Sequence, residues 1–249
     1  MHIILRLVRE IRKNDVVYIK INIKENNKMK LCTLHTTDKF MEMMSNPFTK
    51  PFLKDNPDIE QMDITDSSLI VETQKNGGIT PAVARRMYNY FMCAVDAGAD
   101  AILVTCTSVN EITKKMRSFI PIPVISVEEP VAEKAVASGK KIGILSSVAT
   151  SAQPVKQTIL EKAAEAGKEV DVEIIVAEGA FDALNAGDRE LHDEKVRAAL
   201  AKLVDKVDVV VFAQMSMALV EHPEYDIPVL KFGRISYDAA KEAMLKNAK

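Results

Sequence analysis

Ala101-Ile102-Leu103-Val104-Thr105-Cys106-Thr107-Ser108 reads as a buried strand that ends in a thiol and two hydroxyls. Val209-Val210-Val211-Phe212-Ala213-Gln214-Met215-Ser216 repeats the pattern 108 residues later, with a carboxamide in place of the thiol. Asp100 and Asp208 open the two runs, each six residues ahead of its junction. Residues 122–126 (IPVIS) match 227–231 (IPVLK) at an offset of 105, and residues 30–35 (KLCTLH) match 141–146 (KIGILS) at an offset of 111. Two apolar strands often resemble each other by chance; three pairs in one order at nearly constant offset do not. The chain therefore reads as a duplicated α/β unit.

From Lys30 onward, apolar runs of five to seven residues alternate with helical stretches, as in βα units around a parallel sheet. Strands are expected at 30–35, 59–64, 101–106, 122–126, 141–146, 170–177, 208–213 and 227–231. The unbroken Val/Ile/Leu content of 101–106 and 208–213 calls for cover on both faces. Thr80-Pro81 starts a helix and Gly98 stops it. Ser108 and Glu111 have capping-box spacing directly after Cys106. Thr150-Ser151 precede a helix with Pro154 in its first turn, and Asn76-Gly77-Gly78 is a loop or a lid hinge.

The expected division is one lobe over 29–140 and a second over 141–249, with strands free to exchange. No Pro, Gly or Ser linker separates them, so they share an interface. Ligands of parallel α/β sheets bind beyond the carboxyl ends of the strands, and two such edges make one cleft. Residues 1–28 fall outside the duplication: either Met29 is the natural start, or an added helix or strand lies on the surface.

The 249 residues suffice for a sizeable core. A formal net charge of −2 gives no electrostatic reason to expect nucleic acid or an anionic membrane as partner. Aromatics make up 5% and Trp is absent, which disfavours base-stacking platforms. No apolar run approaches a membrane span, and charged residues from Arg6 to Asp15 break up the N-terminal apolar start, so it lacks a signal-peptide core. Three irregularly spaced cysteines fit neither a disulfide framework nor a zinc pattern, and a reduced, cytoplasmic setting is expected.

Cys106 is the leading chemical group. It should be partly buried at a strand end, and the helix N-terminus after it should favour a thiolate and lower the thiol pKa by about a unit or more. Such a sulfur can be acid, base or nucleophile. Cys32 and Cys93 read as core residues. Thr107 and Ser108, Ser147 and Thr150, Ser216, and His35 with Thr36 recur at strand exits, where hydroxyls and free amides suit a carboxylate. With no arginine cluster, a small mono- or dicarboxylate fits better than a phosphorylated ligand. Glu178 and Asp66 stand at matched positions and could orient an ammonium group or share protons. His192 and His222 read as surface residues and the twelve methionines as core filling.

Cys106-Thr107-Ser108, with the mirrored Gln214-Met215-Ser216-Met217, resembles the aspartate/glutamate racemase superfamily, over about residues 29–245. The resemblance implies two pseudo-symmetric Rossmann-like lobes, a cleft between them, no pyridoxal phosphate or metal, and a homodimer. It implies a pair of thiols on opposite faces of the substrate Cα, with Cys106 as the first. The second should stand at 214, where this chain has a glutamine that cannot shuttle a proton. Three readings follow: His35 or Glu178 serves the second face; Cys106 works alone, as in a decarboxylase or cis–trans isomerase; or the protein binds a carboxylate without turnover. The leading expectation is proton transfer beside a carboxylate of an amino acid or related compound, with Gln214 orienting that group.

Overall fold

The computed structural model describes residues 28–38 and 44–247. The expectations for the N-terminal segment fall, Lys28 apart, outside the described residues. Eight strands occur among those described: β1 Met29–His35, β2 Ile59–Thr65, β3 Ala101–Val104, β4 Val124–Ser126, β5 Lys141–Ser146, β6 Asp171–Val176, β7 Val209–Phe212 and β8 Val229–Leu230. They form two four-stranded parallel sheets of identical order, β2-β1-β3-β4 and β6-β5-β7-β8. All eight expected strands are present: β1 and β2 each run one residue longer than expected, β5 has the expected bounds, the other five are shorter, and no strand passes from one sheet to the other.

The duplication is visible in individual hydrogen bonds. The Asp100 carboxylate accepts from the Lys30 amide at 2.7 Å, while that of Asp208 accepts from the amides of Lys140 and Lys141 at 2.8 Å. Each aspartate thus fastens the start of its lobe's third strand to its first. β3 and β7 are fully buried and lie inside their sheets, as their continuous apolar content requires.

Helices cover both sheets: α1 Lys50–Asp55, α2 Ser68–Lys75, α3 Pro81–Asp96, α4 Asn110–Met116, α5 Glu129–Ser138, α6 Ala149–Glu165, α7 Ala180–Asn185, α8 Arg189–Leu203 and α9 Arg234–Asn247. Alternation along each strand sorts its side chains into two cores. Leu31 and Leu103 share a central core with Ile144, Val211 and Tyr237 of the second half, while Cys32, Leu34 and Val104 pack under α3. The sheets divide at residue 140, but the helices do not respect that boundary. The Tyr237 hydroxyl in α9 lies 2.6 Å from the Thr49 hydroxyl of the first half, and the rings of Phe52 and Tyr237 are 5.1 Å apart. The two lobes are clasped, and this fixes the gap between their strand ends.

Thr80 caps α3 by accepting from the Val83 amide, and Gly98 follows with φ 78°. In β5 a Cβ on Gly143 would stand 2.8 Å from Leu203, so only glycine lets α8 approach the sheet this closely. Other expectations need correction. Pro154 lies inside α6, beyond its first turn. Cys93 is exposed on α3 rather than in the core. His192 is fully buried, with Nδ1 2.6 Å from Asp193. Among the described residues, no helix is long and apolar enough to cross a membrane.

Candidate active site

β3 and β7 end the same way. Beyond Val104 the chain stays extended through Cys106 (φ −128°, ψ 121°) before one 3-10 turn, Thr107–Val109. Beyond Phe212 it stays extended through Gln214 (φ −144°, ψ 145°) before the turn Met215–Met217. The thiol and the carboxamide therefore occupy equivalent backbone positions, one in each lobe. Both line one cavity of about 390 Å³. Thr107, Ser108 and Ser216 line it as well, as does Ser151; the side chain of the expected Thr150 is not among those described. Ile70, Phe181 and Leu184 add an apolar wall, and no charged residue lines the cavity among the described residues.

The expected acidic thiol is not what the structure holds. Cys106 is 2% exposed, and burial pushes its thiol up. The Thr36 hydroxyl and the amide and hydroxyl of Ser108 pull the other way without prevailing, and the Glu128 carboxyl adds to the rise. The 3-10 turn explains part of the shortfall: three residues sum too few peptide dipoles to offset desolvation. The capping box is absent too, since Ser108 faces the sulfur and Glu111 pairs with Lys115. At rest Cys106 is a protonated thiol.

Gln214 is held by its oxygen. Oε1 accepts from the Ser147 amide at 2.6 Å, the Ser147 hydroxyl at 2.8 Å and the Ser146 hydroxyl at 3.2 Å. A backbone N–H can only donate, so the amide orientation is determined and Nε2 is left without a partner among the described residues. Ser147, expected as a ligand group, is instead the clamp on Gln214. Thr36 is its counterpart in the first lobe, buried beside Cys106, with a hydroxyl that closes no full hydrogen bond.

Three expected site residues lie elsewhere. His35 is 1% exposed, with Nδ1 2.9 Å from the Thr105 hydroxyl and Nε2 3.3 Å from Asp63. It borders a different cavity of about 700 Å³, on the other face of the sheet from Cys106. Asp66 accepts from the Ser68 amide and hydroxyl, Tyr90 and Arg86, so its carboxylate ties α2 to α3. Glu178 is exposed in the turn between β6 and α7 and does not line the cleft. Neither histidine nor carboxylate joins Cys106 there. Among the described residues, no group of three or more His, Cys, Asp or Glu side chains could hold a metal ion.

Two features escaped the sequence reading. The apolar wall comes from Ile70 on α2 and from Phe181 and Leu184 on α7, and no local pattern marks which helix faces meet a cleft. Glu128, 1% exposed beyond β4, has both carboxyl oxygens unpartnered, and burial raises its carboxyl to about 8. Its signal was available in the doublet Glu128-Glu129 at a strand exit beside that of Cys106.

Solved structures with this architecture include an aspartate racemase homologue from Pyrococcus horikoshii OT3, with a TM-score of 0.65 at 13% identity, covering 88% of this chain and 99% of that one. Glutamate racemase isoform RacE1 from Bacillus anthracis matches with a TM-score of 0.58 at 13% identity, covering 88% and 83%. Allantoin racemase from Klebsiella pneumoniae gives 0.59 at 10% identity, covering 88% of each chain. Likeness at such low identity shows the fold. No curated protein sequence matches the chain. The family model described as Asp/Glu/Hydantoin racemase matches residues 31–240, nearly the whole of both lobes, and the chain belongs to that family.

Proposed function

We propose that the protein is a cofactor-independent racemase-type enzyme in which one thiol, Cys106, moves a proton at the carbon beside a carboxylate. The supporting observation is the pairing of Cys106 with Gln214 at equivalent junctions of one cavity, with the Gln214 oxygen already occupied. Its Nε2 donates to the carboxylate, where negative charge grows as the α-proton leaves. Hydroxyls and amides at Thr107, Ser108 and Ser216 share that load.

Cys106 is the only titratable side chain among the described residues lining the cavity. A raised thiol pKa reduces the thiolate population but makes the thiolate a stronger base, which suits a weakly acidic C–H. The substrate best suited is a small monocarboxylate or related carbonyl compound with an uncharged remainder. The ammonium and second carboxylate of a dicarboxylic amino acid would be desolvated against Ile70, Phe181 and Leu184 without a charged partner from the described residues.

Proton NMR in deuterated water tests the reading on single enantiomers of amino acids, 2-substituted carboxylic acids and hydantoins. A thiol acting from one face returns solvent deuterium to the same face, so washout into the starting enantiomer should outrun inversion. Washout and inversion in step, or full turnover by Cys106→Ala, would sink the proposal.

A further inference from the structure

Glu128 is a buried acid whose two carboxyl oxygens close no full hydrogen bond; its own backbone amide and Lys114 favour the charge without offsetting burial. An ionisable group taken out of water and left without hydrogen bonds is costly, and it calls for a local reason. The sheet register supplies a neighbour. Val104 pairs with Ser126, and the Val127 amide donates to the Val104 carbonyl at 2.9 Å. Just beyond these paired ends, Cys106 closes the extended exit of β3 and Glu128 stands in the turn that leads from β4 into α5, close enough for its carboxyl to act on the thiol. Cys106 packs with Val104 and Val124, and both it and Glu128 are almost wholly withdrawn from solvent.

The second lobe has no such arrangement. Val211 pairs with Leu230, and the duplication matches Glu128 with Gly233, just beyond β8. Its φ is 107°, and a Cβ there would stand 2.6 Å from the Phe48 ring. The duplicated fold thus puts a carboxyl after β4 in the first lobe and a glycine, with no side chain, at the matching position after β8 in the second.

We infer that Glu128 is a positioning residue for Cys106: as a neutral acid it permits the thiolate, and as a carboxylate it holds the thiol proton in place. The charged groups that act on Glu128 are Glu129 of α5, Lys114 of α4 and Glu161 of α6, while α9 meets the β4 exit through the neutral Ser236 hydroxyl, which donates to the Val127 carbonyl. Glu129 is already paired with Arg117 at 2.9 Å, and Lys114 with Glu161, so these charges largely cancel one another. The Glu128 charge itself acts on Cys106 in the same sense as burial. Two like charges on adjacent strands in a dry interior cannot both form readily. Thiolate formation is therefore freest while Glu128 keeps its proton, and ionisation of the acid above about 8 makes the further rise of thiolate with pH shallower.

The inference bears on catalysis only through the proposed role of Cys106, but its test needs no substrate, so the two can fail separately. In full-length protein with ¹³Cβ-labelled cysteine, the Cys106 resonance, assigned with Cys106→Ala, reports thiol ionisation directly. Glu128→Gln should move the midpoint to lower pH and raise the thiolate fraction about three- to tenfold near pH 9, with Cys93 unchanged as internal reference. Superimposable titrations overturn the inference, as does a midpoint that moves upward, which would make Glu128 a proton acceptor for the thiol. Should Glu128→Gln not fold, Glu128→Met carries the same expectation; it also replaces an unpaired buried acid with an apolar chain of similar size, so its Tm should rise.

Discussion

Ser147 gives both its amide and its hydroxyl to the Gln214 side-chain oxygen, at 2.6 and 2.8 Å. The second lobe thereby turns a flexible carboxamide into a fixed donor, at the position matching the thiol of the first. A fixed donor stabilises charge without exchanging a proton, so in the proposed reaction the lobes divide the work, one moving the proton and the other holding the charge.

Gln214→Cys should restore proton transfer from the second lobe. Inversion is then expected to accelerate relative to deuterium washout, while total exchange falls because the carboxylate has lost a donor worth about 1 kcal/mol or more. Both rates come from one NMR time course. A variant whose inversion-to-washout ratio stays at the wild-type value would show that position 214 does not reach the reacting carbon.

Cys106 carries the pH dependence. Burial is the leading cause of its raised thiol, so thiolate appears only as pH climbs above the usual thiol range. Activity limited by thiolate should therefore rise with pH through neutrality into the alkaline range, without a plateau near pH 7. Cys106→Ala and Cys106→Ser should each lower kcat by about 10²–10⁴-fold with little change in KM. A pH–rate profile already flat at neutrality would contradict the assignment.

Legibility followed the periodicity of each signal. The sheets were readable because Val, Ile and Leu in 101–104 and 209–212 have one environment, buried on both faces. The Cys106–Gln214 pairing was readable because a duplication carries position along with sequence. His35 was misplaced because adjacent residues of a strand point to opposite faces; Thr36, one residue on, is the group beside the thiol. Asp66 looked available because its partners, Tyr90 and Arg86, lie 20 or more residues away on α3. Burial of Cys106 is a property of the whole packed lobe, which no local pattern encodes.

Asp66 should separate structure from catalysis. Burial alone would raise its carboxyl, but the Ser68 hydroxyl, the Tyr90 hydroxyl, the Ser68 amide and Arg86 together hold it below the ordinary carboxylate range. A depressed pKa means stability that is fully present above the unfolded-state value and lost as pH falls through the folded-state value. Asp66→Asn should cost about 1–2 kcal/mol at neutral pH and less in acid, with kcat and KM within about twofold of wild type. Thermal melts at neutral and acidic pH check the first part. A large loss of kcat in a stably folded variant would return Asp66 to the active site.

The apolar wall gives the most direct test of the substrate. Phe181, at the start of α7, lines the cavity and is 41% exposed, so a longer polar side chain can be placed there without opening the core. Phe181→Arg sets a guanidinium where the described lining residues hold no charge, and that group binds carboxylates bidentately. Turnover of dicarboxylates relative to monocarboxylates should rise about tenfold, equivalent to about 1.4 kcal/mol of differential transition-state binding. The ratio is read as kcat/KM for paired substrates differing only in the terminal carboxylate. If wild type already prefers the dicarboxylate and the arginine changes nothing, the remainder of the substrate does not lie against Phe181, and the assignment to uncharged substituents is wrong.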